Sequence, residues 1–378
     1  MFALATGLAV FGAMMVYSAS AMIAHRESAG ASQFTYFYKQ AGFTVAGIML
    51  MLGVSQIDYR RYNNPFVIGI VLLVTVGALL AVFGFPEING ARRWIRLGGF
   101  SLQPSEMAKI ALPLFLAFYL TRNAERVGEI KATLLPCIIC LAVLGGLVFL
   151  EPDLGTTIVL CAIFASVYFA AGARFTHVGV VVASLLVVGV GALVLAPWRL
   201  RRLAAFVDPC DPENAAGAGY QVCQSLYAIG SGGLTGEGFA KGQQKLFYLP
   251  YPHSDFIFSV VGEELGLVGT LSIVILFGLL LWRGARAAMN APDRFGMLLG
   301  IGITTGIIVQ ALFNISVVIS ILPAKGIPLP FISYGGSSVL VTLCAVGILL
   351  NISKQVSGGT FEEESKGVHR KKGRSGLR

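Results

Sequence analysis

Charged side chains are scarce in this sequence of 378 residues. Asp, Glu, Lys and Arg together make up 12% of it, about half the share found in an ordinary soluble domain. The sequence also lacks a P-loop, a GxGxxG fingerprint in a strand-to-helix context, an HExxH zinc motif and a GxSxG nucleophile elbow. The low charge content argues against a soluble enzyme. The missing motifs argue against a P-loop protein that hydrolyses nucleotides, a zincin and an α/β-hydrolase.

Apolar residues are abundant instead, at 56% of the chain. A helix needs about 20 apolar residues to cross a hydrocarbon layer of about 30 Å, and about ten such blocks follow one another. The predicted fold class is therefore an all-α polytopic membrane protein with about ten transmembrane helices. The first block has no basic leader and is read as a retained span. The blocks cover residues 2–23, 41–55, 65–85, 104–120, 132–150, 156–171, 177–198, 255–282, 295–319 and 334–352.

Basic residues in the short loops set the predicted orientation, because cytoplasmic loops carry an excess of Lys and Arg. They favour cytoplasmic N- and C-termini. Residues 1–353 are predicted to form one membrane domain, and residues 354–378 a charged, disordered cytoplasmic tail that contacts anionic lipid or serves only as a topology anchor.

The opposite face contains one long connection, at about residues 199–254, between predicted spans 7 and 8. A loop of that length is usually functional or disordered, and its aromatic and aliphatic residues argue against disorder. The extracytoplasmic face also carries an excess of cations, which an anionic ligand would explain. These cations are Arg26, Lys39, Arg92, Arg93, Arg96, Arg199, Arg201, Arg202, Lys241, Lys245 and Lys325.

Two of the six cysteines, Cys210 and Cys223, lie in this long loop. An extracytoplasmic loop permits a disulfide between them, although nearness in sequence does not by itself ensure the required geometry. A Cys210–Cys223 disulfide and two free thiols therefore remain as alternatives.

Acidic residues occur where a bilayer disfavours them. Glu106 and Lys109 are three residues apart near the start of span 4, which predicts an ion pair on one helix face, either structural or functional. Asp153 can cap the helix that follows it, and Asp255 can cap span 8. Glu263 and Glu264 are neighbours and cannot face one direction, so at least one is expected to point into the bundle in a structural role. Acids, cations and glycine-rich loops at one face suggest an amphiphilic, anionic ligand such as a sugar linked to polyprenyl pyrophosphate.

Several long motifs resemble one family in order along nearly the whole chain. They are NGARRWIRLGGFSLQPSEMAKI from Asn89, EPDLGTT from Glu151, QSLYAIGSGGLTGEGFAKGQQK within the loop, HSDFIFSVVGEELG from His253 and AKGIPLPFISYGGSS from Ala324. The sequence is identified as a member of the SEDS family (shape, elongation, division and sporulation). NGARRW and the Lys325–Gly326 pair are more similar to its division branch than to its elongation branch.

The resemblance implies an inverting peptidoglycan glycosyltransferase that polymerises lipid II on the outer face of the bacterial cytoplasmic membrane. It implies that Asp255 is the catalytic base. The residues expected to bind substrate or its pyrophosphate are Arg92, Arg93, Lys245, Lys325, Glu106, Lys109 and Asp153. A divalent cation, Mg²⁺ or Mn²⁺, is an optional cofactor. The family often has a glutamate in the loop where this sequence has Tyr251 and Pro252, so no second loop carboxylate is assigned.

The implied partners are lipid II, a class B penicillin-binding protein, other divisome proteins and membrane lipid, with no nucleic acid. Two other functions remain open. A transporter that flips lipid II would use charges near the membrane midplane. A noncatalytic divisome scaffold would tolerate loss of the extracytoplasmic acids.

Overall fold

A computed structural model describes residues 1–88, 90–97, 100–173, 179, 205–215, 217, 219–323 and 325–374. Its regular structure is almost entirely α-helical, as predicted. One short antiparallel hairpin pairs β1 (Ile95–Leu97) with β2 (Phe100–Leu102). The helices are α1 (Phe2–Glu27), α2 (Thr35–Val54), α3 (Pro65–Ala81), α4 (Pro104–Arg122), α5 (Leu135–Leu150), α6 (Leu154–Ala170), α7 (Pro212–Ala215), α8 (Tyr220–Gly232), α9 (Ile257–Met289), α10 (Arg294–Val318) and α11 (Gly336–Arg374).

Seven helical segments within the described residues are long and apolar enough to cross a membrane. Predicted spans 4 and 6 correspond to α4 and α6, which are not among these seven segments. Helix α4 carries Glu106, Lys109 and Arg122, and α6 has only 17 residues. Predicted span 7, residues 177–198, lies outside the described residues except for residue 179, and so do residues 199–204 at the start of the long loop. The count of about ten spans therefore stays a prediction.

Helix α10 lies at the centre of the bundle and packs against α4, α6, α9 and α11. Helix α2 packs along α11, where a Cβ on Gly347 would lie 2.7 Å from the carbonyl oxygen of Met51. Small residues at such crossings let two membrane helices approach closely. Beyond residue 353 the backbone of α11 continues as helix to Arg374, into the segment predicted to be a disordered tail. Glu, Lys and Arg in that segment favour helix formation.

Helix α9 is broken at Gly266, whose φ of 64° is not helical. A break at membrane depth leaves backbone groups without helical partners, and a protein must satisfy them internally. The glycine-rich segment after α8 does this. A Cβ on Gly236 would lie 2.2 Å from the carbonyl oxygen of Glu264, so only glycine fits there. Four backbone hydrogen bonds join the two segments: Glu237 to Glu263, Gly238 to Glu264, Leu267 to Gly233 and Val268 to Leu234, each from N–H to carbonyl.

The long loop is ordered in the parts that the structure describes. Cys210 and Cys223 form a disulfide with an S–S distance of 2.08 Å. Helix α8 of this loop packs against α9. The loop therefore lies on the helix bundle, next to the start of α9.

Candidate functional site

Asp255 lies in the turn before α9 and does not cap this helix. The N-cap position belongs to Phe256, which makes no side-chain capping hydrogen bond. The expectation that Asp255 can serve as a helix cap is therefore wrong, because the helix begins two residues later, at Ile257. The Asp255 side chain is half-buried. No donor in the described residues lies within hydrogen-bond distance of its carboxylate, which leaves that group free for a ligand.

The backbone around Asp255 is held by a buried amide in the middle of the bundle. Asn314 of α10 donates from Nδ2 to the carbonyl oxygens of Asp255, at 2.8 Å, and Ile327, at 2.7 Å. One side chain thus ties the turn before α9 to the segment that follows Lys325. A Cβ on Gly326 would lie 2.7 Å from Oδ2 of Asp255. Glycine at this position therefore keeps the space beside the carboxylate open.

The charges around Asp255 oppose one another. Burial raises the pKa of Asp255 to about 6; the guanidinium of Arg93 acts to lower it, and the carboxylate of Asp153 acts to raise it further. Arg93 is fixed by the turn before α6: it donates from Nε to the carbonyl oxygen of Glu151 at 3.0 Å and from a terminal nitrogen to that of Pro152 at 2.5 Å. The arrangement keeps a base with a pKa near neutrality beside a fixed cation.

Asp153 caps α6, as predicted. Its Oδ1 accepts from the backbone N–H of Thr156 at 3.0 Å, and its Oδ2 accepts from the Thr156 hydroxyl at 2.9 Å. Gln103 and Ser105, at the start of α4, also donate to Oδ2, at 3.3 and 3.4 Å. Asp153 therefore both caps α6 and contributes a fixed negative charge to the electrostatic field at Asp255.

Glu151 is fully buried, and neither of its carboxyl oxygens has a hydrogen-bond partner in the described residues. Burial raises its pKa to about 8; Asp153 adds to this rise and Arg93 opposes it. Glu151 is therefore mainly a neutral carboxylic acid at pH 7. Sequence reasoning did not identify this property, because burial is a tertiary feature.

The predicted cations differ in their surroundings. Arg93 interacts electrostatically with Asp255, and Lys325 directly precedes Gly326 in the segment beside the carboxylate. Arg92 is exposed and donates to the carbonyl oxygen of Phe83 at 2.9 Å. The structure thus brings Arg93 and the Lys325–Gly326 backbone to Asp255, with Arg92 adjacent in the chain.

Lys245 is paired with an acid inside the protein. It is buried, and its Nζ lies 2.5 Å from Oε1 of Glu264 and 2.9 Å from the Ser18 hydroxyl. Glu264 also accepts from the backbone N–H of Ala240 at 2.9 Å. These contacts give Lys245 a structural position at the α9 break, and its expected contact with substrate or pyrophosphate stays a prediction. A charge 19 residues from its partner cannot be paired by helical spacing alone.

The ion pair between Glu106 and Lys109 is formed, with Nζ to Oε2 at 2.7 Å, and both side chains are largely buried. Lys109 also donates to Oε1 of Gln310 on α10. Gln310 in turn donates from Nε2 to the carbonyl oxygen of Pro328 at 2.8 Å. The pair therefore acts through Gln310 on the segment after Lys325. Sequence reasoning missed Gln310 and Asn314, although two amides four residues apart in an apolar helix were a usable signal.

The described residues contain no group of three or more His, Cys, Asp or Glu side chains arranged to hold a metal ion. The described residues therefore offer no set of three such ligands for the optional divalent cation, and no chemical step is assigned to it.

The sequence matches a known protein family over most of its length. The family model of FtsW, RodA and SpoVE, described as a cell cycle protein, matches residues 1–358. A probable peptidoglycan glycosyltransferase FtsW of Geobacter metallireducens is 41% identical over 366 residues, with 94% of each chain covered. Stage V sporulation protein E of Bacillus subtilis is 38% identical, with 92% of this chain and 94% of the relative covered.

Two solved structures share the fold. One, reported as "Structural coordination of polymerization and crosslinking by a peptidoglycan synthase complex", superposes with a TM-score of 0.75 at 27% identity, covering 93% of this chain and 96% of the other. The other is the Rod shape determining protein RodA of Thermus thermophilus, with a TM-score of 0.67 at 28% identity, covering 93% and 94% of the two chains.

Proposed function

The chain belongs to the FtsW, RodA and SpoVE family of multi-pass membrane proteins, and we propose that it is a peptidoglycan glycosyltransferase that polymerises lipid II. The observation that carries this proposal is the Asp255 carboxylate. This carboxylate is half-buried, does not cap α9 and has no hydrogen-bond donor in the described residues. Arg93 and Gly326 lie beside it.

Asp255 acts as the general base. The 4-hydroxyl oxygen of the acceptor sugar attacks the anomeric carbon of the donor, and the bond from that carbon to undecaprenyl pyrophosphate breaks with inversion. The hydroxyl proton passes to the Asp255 carboxylate as the new bond forms. With a pKa of about 6, the carboxyl group is about nine-tenths ionised at pH 7, close enough to neutrality to return the proton afterwards.

Arg93, Arg92 and Lys325 are the candidates for stabilising the departing pyrophosphate. Fixed cations are most effective where charge develops, since they need no reorganisation during the reaction. Arg93 is held by two backbone carbonyl groups, and Lys325 lies in a segment held through Gln310 and Asn314. Glu106 and Lys109 support that segment from within the bundle and do not themselves meet the substrate.

The distribution of basic residues supports an extracytoplasmic site. Arg60, Arg283, Arg286 and Arg294 lie at the opposite ends of the helices from Asp255, where cytoplasmic cations are expected. We therefore place both termini in the cytoplasm and Asp255 on the outer face of the bacterial inner membrane. The superposable synthase complex supports a class B penicillin-binding protein as the partner that crosslinks the product. The 41% identity to a probable FtsW supports cell division as the process, with other divisome proteins as further partners.

Transport of lipid II is the less favoured function. A transport path needs charged groups that a substrate can reach, whereas Lys109 and Lys245 are paired with Glu106 and Glu264 inside the protein. A scaffold role would leave the free Asp255 carboxylate without a purpose.

The test is polymerisation of lipid II by the purified protein together with its penicillin-binding partner. Asp255→Asn keeps the shape and removes the base, so we expect the rate of glycan synthesis to fall about 100- to 10,000-fold. Asp208→Asn, in the same extracytoplasmic loop, is the matched control and should retain activity. Equal polymer from wild type and Asp255→Asn, with partner binding unchanged, would falsify the catalytic role.

A further inference from the structure

A cavity of about 640 Å³ opens beside the chain segment that leads to Asp255. It is lined by the end of α1, the start of α2 and loop residues 247 and 249–253. Its volume lies within the range of about 300–1,000 Å³ that is usual for small-molecule sites. The catalytic scheme above leaves this cavity unused.

Three packed rings form one wall of the cavity and its support. The ring centroids of Tyr36 and His253 are 5.0 Å apart, and those of His253 and Tyr334 are 5.6 Å apart. The Tyr36 hydroxyl donates to Oε2 of Glu27 at 2.7 Å. Packed rings with an anchored hydroxyl keep their positions, so this wall is preformed.

Two further rings are presented to the cavity from strained backbone. Phe247 has a φ of 68° and Tyr251 a φ of 54°, in the left-handed region that non-glycine residues avoid. Both remain largely exposed, at 50% and 46%. Strain of this kind persists where the surroundings impose it, and it clusters at ligand sites. The loop thus holds two apolar ring faces open at the mouth of the cavity.

The polar groups of the cavity nearly balance in charge. Arg26 lies over the Phe247 ring, with its guanidinium carbon 5.1 Å from the ring centroid, and Glu27 supplies one carboxylate. Burial lowers the pKa of His253 to about 4, so its imidazole is neutral at pH 7, and its Nδ1 has no hydrogen-bond partner in the described residues. A bare diphosphate would require a surplus of cations. Sugars match this lining better, because a pyranose ring has apolar C–H faces and a rim of hydrogen-bonding groups.

The cavity is linked rigidly to the proposed base. His253 lies two residues before Asp255, so their Cα atoms are at most about 7 Å apart. The Tyr334 N–H donates to the carbonyl oxygen of His253 at 2.8 Å, and the Ser333 hydroxyl donates to that of Ser254 at 2.6 Å. A sugar held in the cavity would therefore have a defined position relative to the carboxylate.

We propose that this cavity is a saccharide subsite, which binds an N-acetylhexosamine unit of the glycan by stacking on Phe247 and Tyr251 and by hydrogen bonds to Arg26, Glu27 and His253. The proposal rests on the glycosyltransferase function above and adds to it a determinant of substrate affinity that lies outside the reacting atoms.

Glycine substitutions test this subsite cleanly. Phe247→Gly and Tyr251→Gly remove the rings at positions where glycine accepts the positive φ, so the loop backbone keeps its course. Tyr248→Ala is the matched control, because Tyr248 is 57% exposed in the same segment and does not line the cavity. We expect the KM for lipid II to rise about 3- to 10-fold in each glycine variant with kcat within about twofold, and Tyr248→Ala to behave as wild type.

A second readout uses the lipid-free disaccharide of N-acetylglucosamine and N-acetylmuramic acid as the probe. Saturation-transfer NMR on the detergent-solubilised full chain should detect the disaccharide with wild type and Asp255→Asn, and with neither glycine variant. An unchanged KM together with unchanged disaccharide binding would overturn the subsite while leaving the function intact. A fall in kcat alone, or loss of partner binding in place of sugar binding, would also overturn it.

The two proposals fail separately in this design. Disaccharide binding that depends on Phe247 and Tyr251, in a protein that makes no polymer with its partner, would contradict the glycosyltransferase function and support the subsite. Normal polymerisation by wild type, with no detectable disaccharide binding to wild type or any variant, would support the glycosyltransferase function and contradict the subsite.

Discussion

Two regions of this protein place carboxylates near the bundle interior, and they use them in opposite ways. At the break in α9, Glu263 accepts from the backbone N–H groups of Gln243 and Gln244, at 2.6 and 2.9 Å. Glu264 accepts from Ala240, Ser18 and Lys245. At the start of α9, the Asp255 carboxylate has no donor within the described residues. The number of hydrogen bonds already made, more than the presence of charge, separates Glu263 and Glu264 from Asp255, the proposed base.

The difference has a physical basis. A buried carboxylate that already accepts several hydrogen bonds has its acceptor sites occupied and holds a loop in place. A carboxylate that is half-buried and unpartnered keeps its capacity to bind a proton, and its pKa moves toward neutrality. The α9 break therefore serves as the anchor of the long loop, and the Asp255 turn is the proposed reaction site.

Breaking the anchor should have the largest effect on stability. Lys245→Met leaves the Glu264 carboxylate buried without its cation, which typically lowers the free energy of unfolding by about 3–5 kcal/mol. Unfolding in detergent, followed by circular dichroism, measures this loss. The double variant Lys245→Met with Glu264→Gln removes both charges and should recover most of it. A stable Lys245→Met protein with a raised KM for lipid II would instead return Lys245 to the pyrophosphate site.

Changing the field at Asp255 should move the pH dependence of polymerisation. The base must be ionised, so we expect kcat/KM to fall as the pH drops through about 6. Arg93→Met removes a cation that lowers the pKa of Asp255 and should shift this acidic limb to higher pH. Asp153→Asn keeps the α6 cap, removes a negative charge and should shift the limb to lower pH. Profiles from pH 5 to 9 measure both shifts.

The matched control for this pair is Arg92→Met, since Arg92 is bound to the Phe83 carbonyl oxygen and does not perturb Asp255. Shifts of Arg93→Met and Asp153→Asn in the same direction would contradict the assignment of the acidic limb to Asp255.

The smallest effect on the polymerisation rate is expected from substitution of Glu151. Its pKa of about 8 makes it mainly neutral at pH 7, so Glu151→Gln should change the polymerisation rate by less than about twofold. The raised pKa also predicts how stability responds. The native state holds this proton more tightly than the unfolded chain, so wild type loses stability as the pH rises from about 4.5 to about 8. Glu151→Gln should therefore unfold at a higher temperature than wild type at pH 8.5, with a smaller gap at pH 5. A larger loss of activity than in Asp153→Asn would give Glu151 a direct chemical role.

Much of the fold was predictable because its signals are local. The lengths of the apolar blocks predicted the helices, and the spacing of Glu106 and Lys109 predicted their ion pair. The position of Asp153 before Thr156 predicted the α6 cap. The site was only partly predictable: the motifs pointed to Asp255 and Arg93, whereas the pairing of Lys245 with Glu264 was missed because it depends on how the loop folds back onto α9.

The sequence by itself determined the class of molecule: apolar blocks of bilayer length, a long loop between them, and a few charges that a membrane tolerates only for a reason. Only the tertiary structure decided which of those charged side chains have hydrogen-bond or ion-pair partners within the protein. The break at Gly266, the pairing of the loop backbone with it, and the amide of Asn314 beneath Asp255 join residues that are far apart in the chain. Burial and hydrogen-bond partners arise from such long-range contacts, and they set whether a carboxylate holds a loop or takes a proton.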